Sequence, residues 1–335
     1  MTGATSTQTA AQKQTRLKVW LIRSILPVAL ALTYVFFGLI EPRFYSLENM
    51  VNILNQSSYL AMLATAQMLV LMCRGFDVSI GSVVSMVGVC SSAVMVWVLK
   101  NHPGSQGMAI TICWLFGLTI GGLAGAINGF NVAIVRINPI VATLGMLSVA
   151  GGIAATATGG FGVMNLPPAF IEIFSRSRLL GLPPAIWVSL LVLAGLHFLL
   201  VRTKFGRSIY MTGANPEAAH VAGVSTRITL IGAHFLCSLV AAVVAIMLTA
   251  RTGSGEPNLG GGLMLQCIMA AVIGGVSLRG GVGKVWYCIF GAIFVTILGN
   301  GMNLVRFSGY FQEISLGVIL IAAVFLDGLR RRYRE

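Results

Sequence analysis

Few ionisable side chains lie among the long apolar runs of this sequence, and Asp77 is the most notable of them. It lies in Arg74-Gly-Phe-Asp-Val-Ser-Ile-Gly81, a segment that interrupts two long apolar runs. Placing a carboxylate at membrane depth costs about 2.5–3.5 kcal/mol on insertion scales, so we expect such a residue to have a structural or functional role. Arg74, three residues earlier, could neutralise it. Asp77 either borders the path of a polar solute or, with Ser79, caps a broken helix; the capping preference of Asp and Ser favours the cap.

Uncharged polar side chains within the apolar runs could hydrogen-bond to the hydroxyl groups of a solute inside a helix bundle. Bonds between neighbouring helices explain such residues equally well, and both interpretations stay open. Besides Asp77 and Ser79, the candidates for a translocation path are Asn128, Asn131, Thr143, Asn300, Asn303 and Gln312.

The sequence lacks the groups of residues that are typical of an enzyme or a metal site. Its four histidines are scattered and its six cysteines form no C-x-x-C, so we expect the cysteines to be small buried side chains. Gly283-Lys284 superficially suggests a phosphate loop, but the first glycine of that motif would fall at Leu278, and Val285 replaces its Ser or Thr. We therefore expect no catalytic residue, metal or cofactor in this chain.

The composition excludes an ordinary soluble domain. Hydrophobic residues make up 56% of the 335 residues, charged residues make up only 9%, and the mean hydropathy is +0.88. A soluble protein carries about 25% charged residues, so the surface of this chain must meet lipid. The net charge of +13 does not indicate nucleic-acid binding, because the 22 basic residues are dispersed and form no patch with interleaved aromatic residues.

Long continuous apolar runs predict an all-α integral membrane protein with about ten transmembrane helices. The runs lie near residues 20–40, 56–73, 79–99, 109–135, 139–157, 185–201, 229–250, 263–277, 285–304 and 311–328. A cytoplasmic start puts sixteen of the 22 basic residues on the cytoplasmic side and six outside, as the positive-inside rule requires. Both termini are therefore predicted to be cytoplasmic.

The chain divides on this basis into a polar tail, a membrane domain and a short basic tail. Residues 1–19 are rich in Ser, Thr and Gln and are expected to be disordered. Residues 20–329 form the transmembrane domain, which includes a long cytoplasmic loop at 202–228, and residues 330–335 form a basic cytoplasmic tail.

Two repeating patterns lie within the membrane domain. Segments 74–81 and 274–281 interrupt apolar runs with similar Gly- and Ser-containing sequences, a weak internal repeat of the kind found in transporters. Four glycines recur every four residues and line one helix face, which allows another helix backbone to approach closely. Packing within one protomer explains this ladder better than a subunit interface does. The ladder consists of Gly117, Gly121, Gly125 and Gly129.

The long cytoplasmic loop contains a complete set of signals for a short helix at 215–223. Asn215 can cap the N-terminus, and Pro216 fits the first helical position. Glu217 complements the positive end of the helix, and Gly223 supplies a left-handed stop. A two-turn helix is too short to be stable alone in water, so it must be held by packing.

The spacing Glu217-Ala218-Ala219-x-x-x-Gly223 resembles the EAA loop, with which the permeases of ATP-binding-cassette (ABC) importers dock into their ATPase subunit. Its context, Phe205-Gly-Arg-x-x-Tyr-x-x-Gly-Ala-Asn-Pro-Glu-Ala-Ala, is similar to the branched-chain-permease-like family for ribose, xylose and related simple sugars. Three further stretches resemble motifs of that family, and the resemblance covers roughly residues 20–328. They are Arg74-Gly-Phe-Asp-Val-Ser-Ile-Gly-Ser82 (R/G-G-I-D-L-S-V-G-S in the family), Asn138-Pro-Ile-Val-Ala-Thr-Leu-Gly145 (P-A-F-I-A-T-L-G) and Ile273-Gly-Gly-Val-Ser-Leu-Arg-Gly-Gly281 (I-G-G-T-S-L-x-G-G).

The resemblance implies a non-catalytic permease subunit in the inner, cytoplasmic membrane of a bacterium. It implies three protein partners: a cytosolic ABC ATPase, an extracytoplasmic sugar-binding protein, and a second permease protomer in a homo- or heterodimer. The implied ATPase-coupling residues are Asn215, Pro216, Glu217, Ala218, Ala219, His220 and Gly223. The sequence departs from the family at Met264-Leu265-Gln266, where many relatives carry Glu-Leu-Asp, and at Gly151, the place of an arginine. These departures leave the sugar open.

A self-sufficient secondary transporter or facilitator for a small polar solute is the alternative. It predicts ion-coupling acids in mid-membrane and no docking helix, whereas this sequence has one serious candidate acid, Asp77, and does have the helix signals. An intramembrane enzyme would need convergent His, Asp or Ser residues, which the sequence does not show.

Overall fold

The computed structural model describes residues 26–332, and the regular secondary structure of that part is entirely helical. The predicted tail 1–19 and the last three residues of the predicted tail 330–335 lie outside the described residues. A 3-10 turn at Pro42–Tyr45 precedes the helix that begins at Leu47, and a π-helical turn at Glu172–Arg176 follows Ile171. The α-helices are α1 (Leu26–Ile40), α2 (Leu47–Met72), α3 (Ile80–Asn101), α4 (Gln106–Ala133), α5 (Pro139–Thr158), α6 (Pro168–Ile171), α7 (Pro184–Arg202), α8 (Lys204–Ala214), α9 (Pro216–Val221), α10 (Thr226–Thr252), α11 (Leu263–Gly274), α12 (Val285–Leu304) and α13 (Gly309–Arg332).

The predicted all-helical fold is confirmed, and each of the ten predicted apolar runs overlaps one of these helices. Six of them are long and apolar enough to cross a bilayer, namely α3, α4, α5, α7, α10 and α12. The apolar stretches of α1, α11 and α13 are shorter. The remaining helix of the ten, α2, is 26 residues long but carries more polar side chains.

The core of the protein forms around α2, which packs against α7, α10, α11 and α12. Every residue of α2 from Ser57 to Met72 is buried. Since these side chains meet other helices and not lipid, α2 can include Thr65 and Gln67, both of which are inaccessible to solvent. Five of the six cysteines are buried and all six are free thiols, which confirms their predicted role as small interior side chains.

The glycine ladder of α4 lies against α10. A Cβ atom added at Gly121 would lie 2.6 Å from the Cβ of Ala242, and one added at Gly129 would lie 2.6 Å from the Cα of Ile231. Such contacts leave no room for a larger side chain, so the two helix backbones approach each other within one protomer. All four ladder residues are buried: Gly117, Gly121, Gly125 and Gly129.

The segment that includes α11 is only partly helical. With 12 residues, α11 is about 18 Å long, too short for a hydrocarbon core of about 30 Å. The non-helical chain before it runs along α3: Gly255 lies against Ser92, and the Gly260 N–H donates to Ser85 Oγ over 3.0 Å. This non-helical chain therefore runs about 10 Å along α3.

Candidate functional site

Local capping interactions define α9, the short helix predicted in the long loop. Asn215 ends α8 and starts α9, because its Oδ1 accepts the N–H groups of Glu217 and Ala218 at 3.0 and 3.1 Å. Pro216 occupies the first helical position, where its missing N–H has no cost. Gly223, with a φ of +79°, then turns the chain away.

A single buried residue anchors α9, while its other side chains point to solvent. Ala219 is 1% exposed, whereas Glu217 and His220 are exposed. Val221 is 89% exposed, and Ile228 near the start of α10 is 67% exposed. A six-residue helix is not stable alone, so the packing of Ala219 must help to hold it.

The end of α8 is fastened to two distant parts of the chain. Arg74 Nε and Nη2 donate to the carbonyl oxygens of Gly213 and Ala214 at 2.8 and 2.7 Å. Gly281 lies against the same end of α8, because a Cβ atom added there would lie 2.9 Å from the Ala214 N, and its N–H donates to the carbonyl oxygen of Met72 at 2.9 Å. The two segments that interrupt the apolar runs, 74–81 and 274–281, therefore meet at the end of α8.

The prediction that Arg74 neutralises Asp77 is wrong, because the chain between α2 and α3 (residues 73–79, the α2–α3 break) is not helical and Arg74 turns towards α8. Asp77 is fully buried, and its Oδ1 accepts the N–H and the hydroxyl of Ser79 at 2.8 and 2.6 Å. Within the described residues, its Oδ2 has no hydrogen-bond partner and no cation pairs with it. The carboxylate lies just before α3 and bonds to Ser79 two residues on, whereas the first turn of α3 receives no side-chain cap bond, so Asp77 holds a local turn and does not cap the helix.

Two neighbouring helices hold the α2–α3 break in place. Asn128 Nδ2 on α4 donates to Ser79 Oγ at 2.9 Å, and Thr143 Oγ1 on α5 accepts the Val78 N–H at 3.1 Å. Asn128 and Thr143 are fully buried, whereas Asn131, near the end of α4, is half-buried. Asn128 and Thr143 therefore bond to the break from neighbouring helices.

The other three predicted path residues lie at the opposite end of the bundle. Asn300 on α12 exchanges two amide hydrogen bonds with Asn49 on α2, both 3.0 Å long. Asn303 Oδ1 accepts from Gln312 Nε2 at 2.8 Å. About 22 Å of helix separates Asn300 from the start of α12, so the eight predicted path residues form two separate groups.

The sequence analysis missed the exposed face of α5, which is the least buried of the six long apolar helices. Gly145, Ser148, Gly152 and Thr156 all face outward, and a Cβ atom added at either glycine would meet nothing within 4 Å. The signal that could have revealed this face is the spacing of small residues by three or four positions. Small and polar residues at a helix surface are typical of contact with another helix or a polar solute.

Comparison with known proteins gives matches along nearly the whole chain. The family model "Branched-chain amino acid transport system / permease component" matches residues 49–324. Ribose import permease protein RbsC of Escherichia coli (strain K12) is 30% identical over 329 residues, which cover 97% of this chain and 100% of that protein. Autoinducer 2 import system permease protein LsrC of Escherichia coli (strain K12 / DH10B) is 34% identical over 304 residues, which cover 91% of this chain and 86% of that protein.

A second LsrC, from Yersinia pestis (strain Pestoides F), is 33% identical over 304 residues, which cover 91% of this chain and 84% of that protein. No solved structure gives a significant match.

Proposed function

The chain belongs to the family of permease components of branched-chain amino acid transport systems, and on that premise we propose that it forms the translocation path for a simple sugar in an ABC importer. It is a non-catalytic permease subunit of the bacterial cytoplasmic membrane. The observation that carries the proposal is the match to a ribose import permease over the full length of that relative. A separate ATPase then supplies the energy, and an extracytoplasmic binding protein delivers the sugar.

The ATPase is proposed to dock on α9. Support comes from the exposure of one side of this helix, from its complete caps, and from the exposed Val221 and Ile228, which another protein could cover. The proposed coupling residues are Asn215, Pro216, Glu217, Ala218, Ala219, His220 and Gly223.

The proposed topology has ten membrane segments with both termini in the cytoplasm. It is supported by the meeting of Met72, Gly213 and Gly281, which lie in three segments that the charge distribution assigns to the cytoplasm. Residues 20–329 are the proposed membrane domain, between the cytoplasmic tails 1–19 and 330–335. In this arrangement the short α11 and the non-helical chain before it together make one crossing.

A second permease protomer, identical or similar, is proposed to pack beside this one, with the sugar path between or within the protomers. The open small-residue face of α5 is the surface best suited to border that path. The polar residues at the break shape its inner end by holding α3, α4 and α5 together. They are Asp77, Ser79, Asn128, Asn131 and Thr143. The outer group, Asn300, Asn303 and Gln312, is proposed to shape its other end.

The function is tested by uptake into proteoliposomes that contain this chain and its ATPase, with ATP inside and the binding protein outside. Radiolabelled ribose is the first probe. The proposal predicts uptake that requires internal ATP and disappears when the ATPase is omitted. Uptake that persists without the ATPase would instead support the secondary transporter or facilitator.

The docking role of α9 has a narrower test. The double variant Glu217→Ala/Gly223→Ala should lose ATPase copurification while it inserts into the membrane at the wild-type level. The matched control is Glu48→Ala/Gly104→Ala, because Gly104 also has a positive φ, and a Cβ atom there would meet nothing within 4 Å. Normal ATP-driven uptake by the Glu217/Gly223 variant would refute the assigned role.

A further inference from the structure

Arg74 has a φ of +61°, a left-handed conformation that side chains other than glycine rarely adopt. Such a conformation persists where the surrounding contacts hold it. Here the contacts are the two bonds from its guanidinium group to the carbonyl oxygens of Gly213 and Ala214. These carbonyls end α8 and have no partner within the helix, so Arg74 is a charged C-terminal cap that another part of the chain supplies.

A glycine turn closes over this contact. Gly280 and Gly281 have φ values of +86° and +72°, and a Cβ atom at Gly280 would lie 2.6 Å from Arg74 Cγ. The hydroxyl of Tyr210 on α8 donates to the carbonyl oxygen of Gly283 at 2.8 Å. Three stretches that are distant in sequence are thereby joined in one cluster, which we call the latch. The latch consists of residues 72–74, 210–214 and 280–283.

The latch continues directly into the α2–α3 break. Gly75 is buried, and a Cβ atom there would lie 2.8 Å from Val70 Cγ1, so a larger residue would not fit at this position without a shift. A few residues further on, Thr143 Oγ1 on α5 accepts the Val78 N–H at 3.1 Å and lies 3.1 Å from the carbonyl oxygen of Phe76. A short constrained stretch of backbone thus connects the end of α8 to α5.

We propose that Arg74 is a positioning residue through which movement of α8 and α9 reaches the α2–α3 break and, from there, α5. This inference rests on the proposed docking of the ATPase on α9. Binding of the ATPase and its hydrolysis of ATP do not require the latch. The latch is required to convert that hydrolysis into movement of the membrane helices.

The first test needs no ATPase. Arg74→Gly removes the guanidinium group and leaves a residue that suits the backbone. Arg136→Gly is the matched control, because Arg136 has a φ of +65°, is exposed, and makes no side-chain hydrogen bond within the described part of the chain. Hydrogen–deuterium exchange of the purified full chain should show that Arg74→Gly speeds exchange in α8 and α9 about tenfold. Equal exchange in the two variants overturns the proposal.

The second test measures transport in the same proteoliposomes, with radiolabelled ribose as the probe. Arg74→Gly should keep wild-type ATPase copurification and ATP hydrolysis, while uptake per ATP hydrolysed falls about tenfold. Arg136→Gly should behave as the wild type. Arg74→Lys keeps the charge but not the planar two-bond geometry, so uptake should recover in part.

Each outcome either supports or contradicts the positioning role of Arg74. Wild-type uptake per ATP hydrolysed in Arg74→Gly overturns the proposal. Loss of ATPase copurification also overturns it, because Arg74 would then only shape the docking surface. Absence of ATP-driven ribose uptake in the wild-type chain would contradict the proposed function for this sugar, while loss of copurification in the Glu217→Ala/Gly223→Ala variant tests docking separately and the exchange experiment still shows whether the latch holds α8 and α9.

Discussion

Helices α4 and α5 are neighbours in sequence and similarly apolar, yet the ladder glycines of α4 and two glycines of α5, Gly145 and Gly152, have opposite surroundings. On α4, a Cβ atom added at Gly117 would lie 2.6 Å from Ser91 Oγ. A Cβ atom added at Gly121, one turn later, would lie 2.6 Å from Ala242 Cβ on α10. On α5, a Cβ atom added at Gly145 or Gly152 would meet nothing within 4 Å.

This difference teaches that small-residue spacing identifies a surface for close approach but does not identify what approaches it. The α4 ladder is filled by α3 and α10 of the same protomer. Among residues 26–332 the α5 face has no such partner, and the hydroxyl of Ser148 on it bonds back to the Leu144 carbonyl of its own helix at 3.3 Å. Under the proposed function, the open face belongs to the second protomer or to the sugar path.

The largest effect is expected from Gly125→Leu on α4, which tests the close contact between α4 and α10. A Cβ atom at this position would collide with the His234 carbonyl oxygen and lie 2.8 Å from Ser238 Cβ. Overpacking typically costs about 1–3 kcal/mol, and more where two backbones must separate. We expect almost no monodisperse protein after detergent extraction, measured by size-exclusion chromatography. A wild-type elution profile would show that the α4–α10 contact is not required for folding.

Gly152→Leu on α5 should separate folding from transport. Because nothing within 4 Å of this position opposes a Cβ atom, we expect a normal yield and thermal stability. ATP-driven uptake should nevertheless fall strongly, since a leucine would fill the face proposed to border the path. Wild-type uptake by this variant would indicate that the α5 face meets only lipid.

The features that sequence reasoning predicted are those that local chemistry determines. The helices follow from apolar runs, and the caps of α9 follow from Asn215, Pro216 and Gly223, whose contacts are all within a few residues. Thr143 and Asn128 were identified as polar residues in apolar helices, but their partners at the break depend on how α3, α4 and α5 pack. That packing is not encoded in short-range spacing.

Arg74 shows most clearly where sequence reasoning stops. Its spacing from Asp77 suggested an ion pair, since residues three apart face each other on a helix. The chain is not helical there, and the left-handed conformation of Arg74 directs its side chain to Gly213, 139 residues away in sequence. Neither the break geometry nor that distant partner can be inferred from one sequence.

Thr143→Val is expected to have a smaller effect, and it tests how much the hydrogen bond between α5 and the break contributes to stability. Valine preserves the shape but leaves the half-buried Val78 N–H without its acceptor, which should lower the free energy of unfolding by about 1 kcal/mol. The control on α4 is Thr119→Val, because the exposed Thr119 hydroxyl bonds only to the Leu115 carbonyl of its own helix at 2.7 Å. Thermal unfolding in detergent should therefore show a lower midpoint for Thr143→Val and no change for Thr119→Val.

The smallest expected effect is a difference in sign between two Gly→Ala substitutions. Gly145→Ala on α5 adds a methyl group where nothing opposes it, and alanine has the higher helix propensity, so stability should stay unchanged or rise by about 0.5–1 kcal/mol. Gly121→Ala on α4 places the same methyl group 2.6 Å from Ala242 Cβ and should be destabilising. The thermal midpoints of the two variants, measured side by side, should therefore move apart. If both rise together, the α4–α10 interface has enough freedom to accept a methyl group, and the contrast between the helices is one of exposure alone.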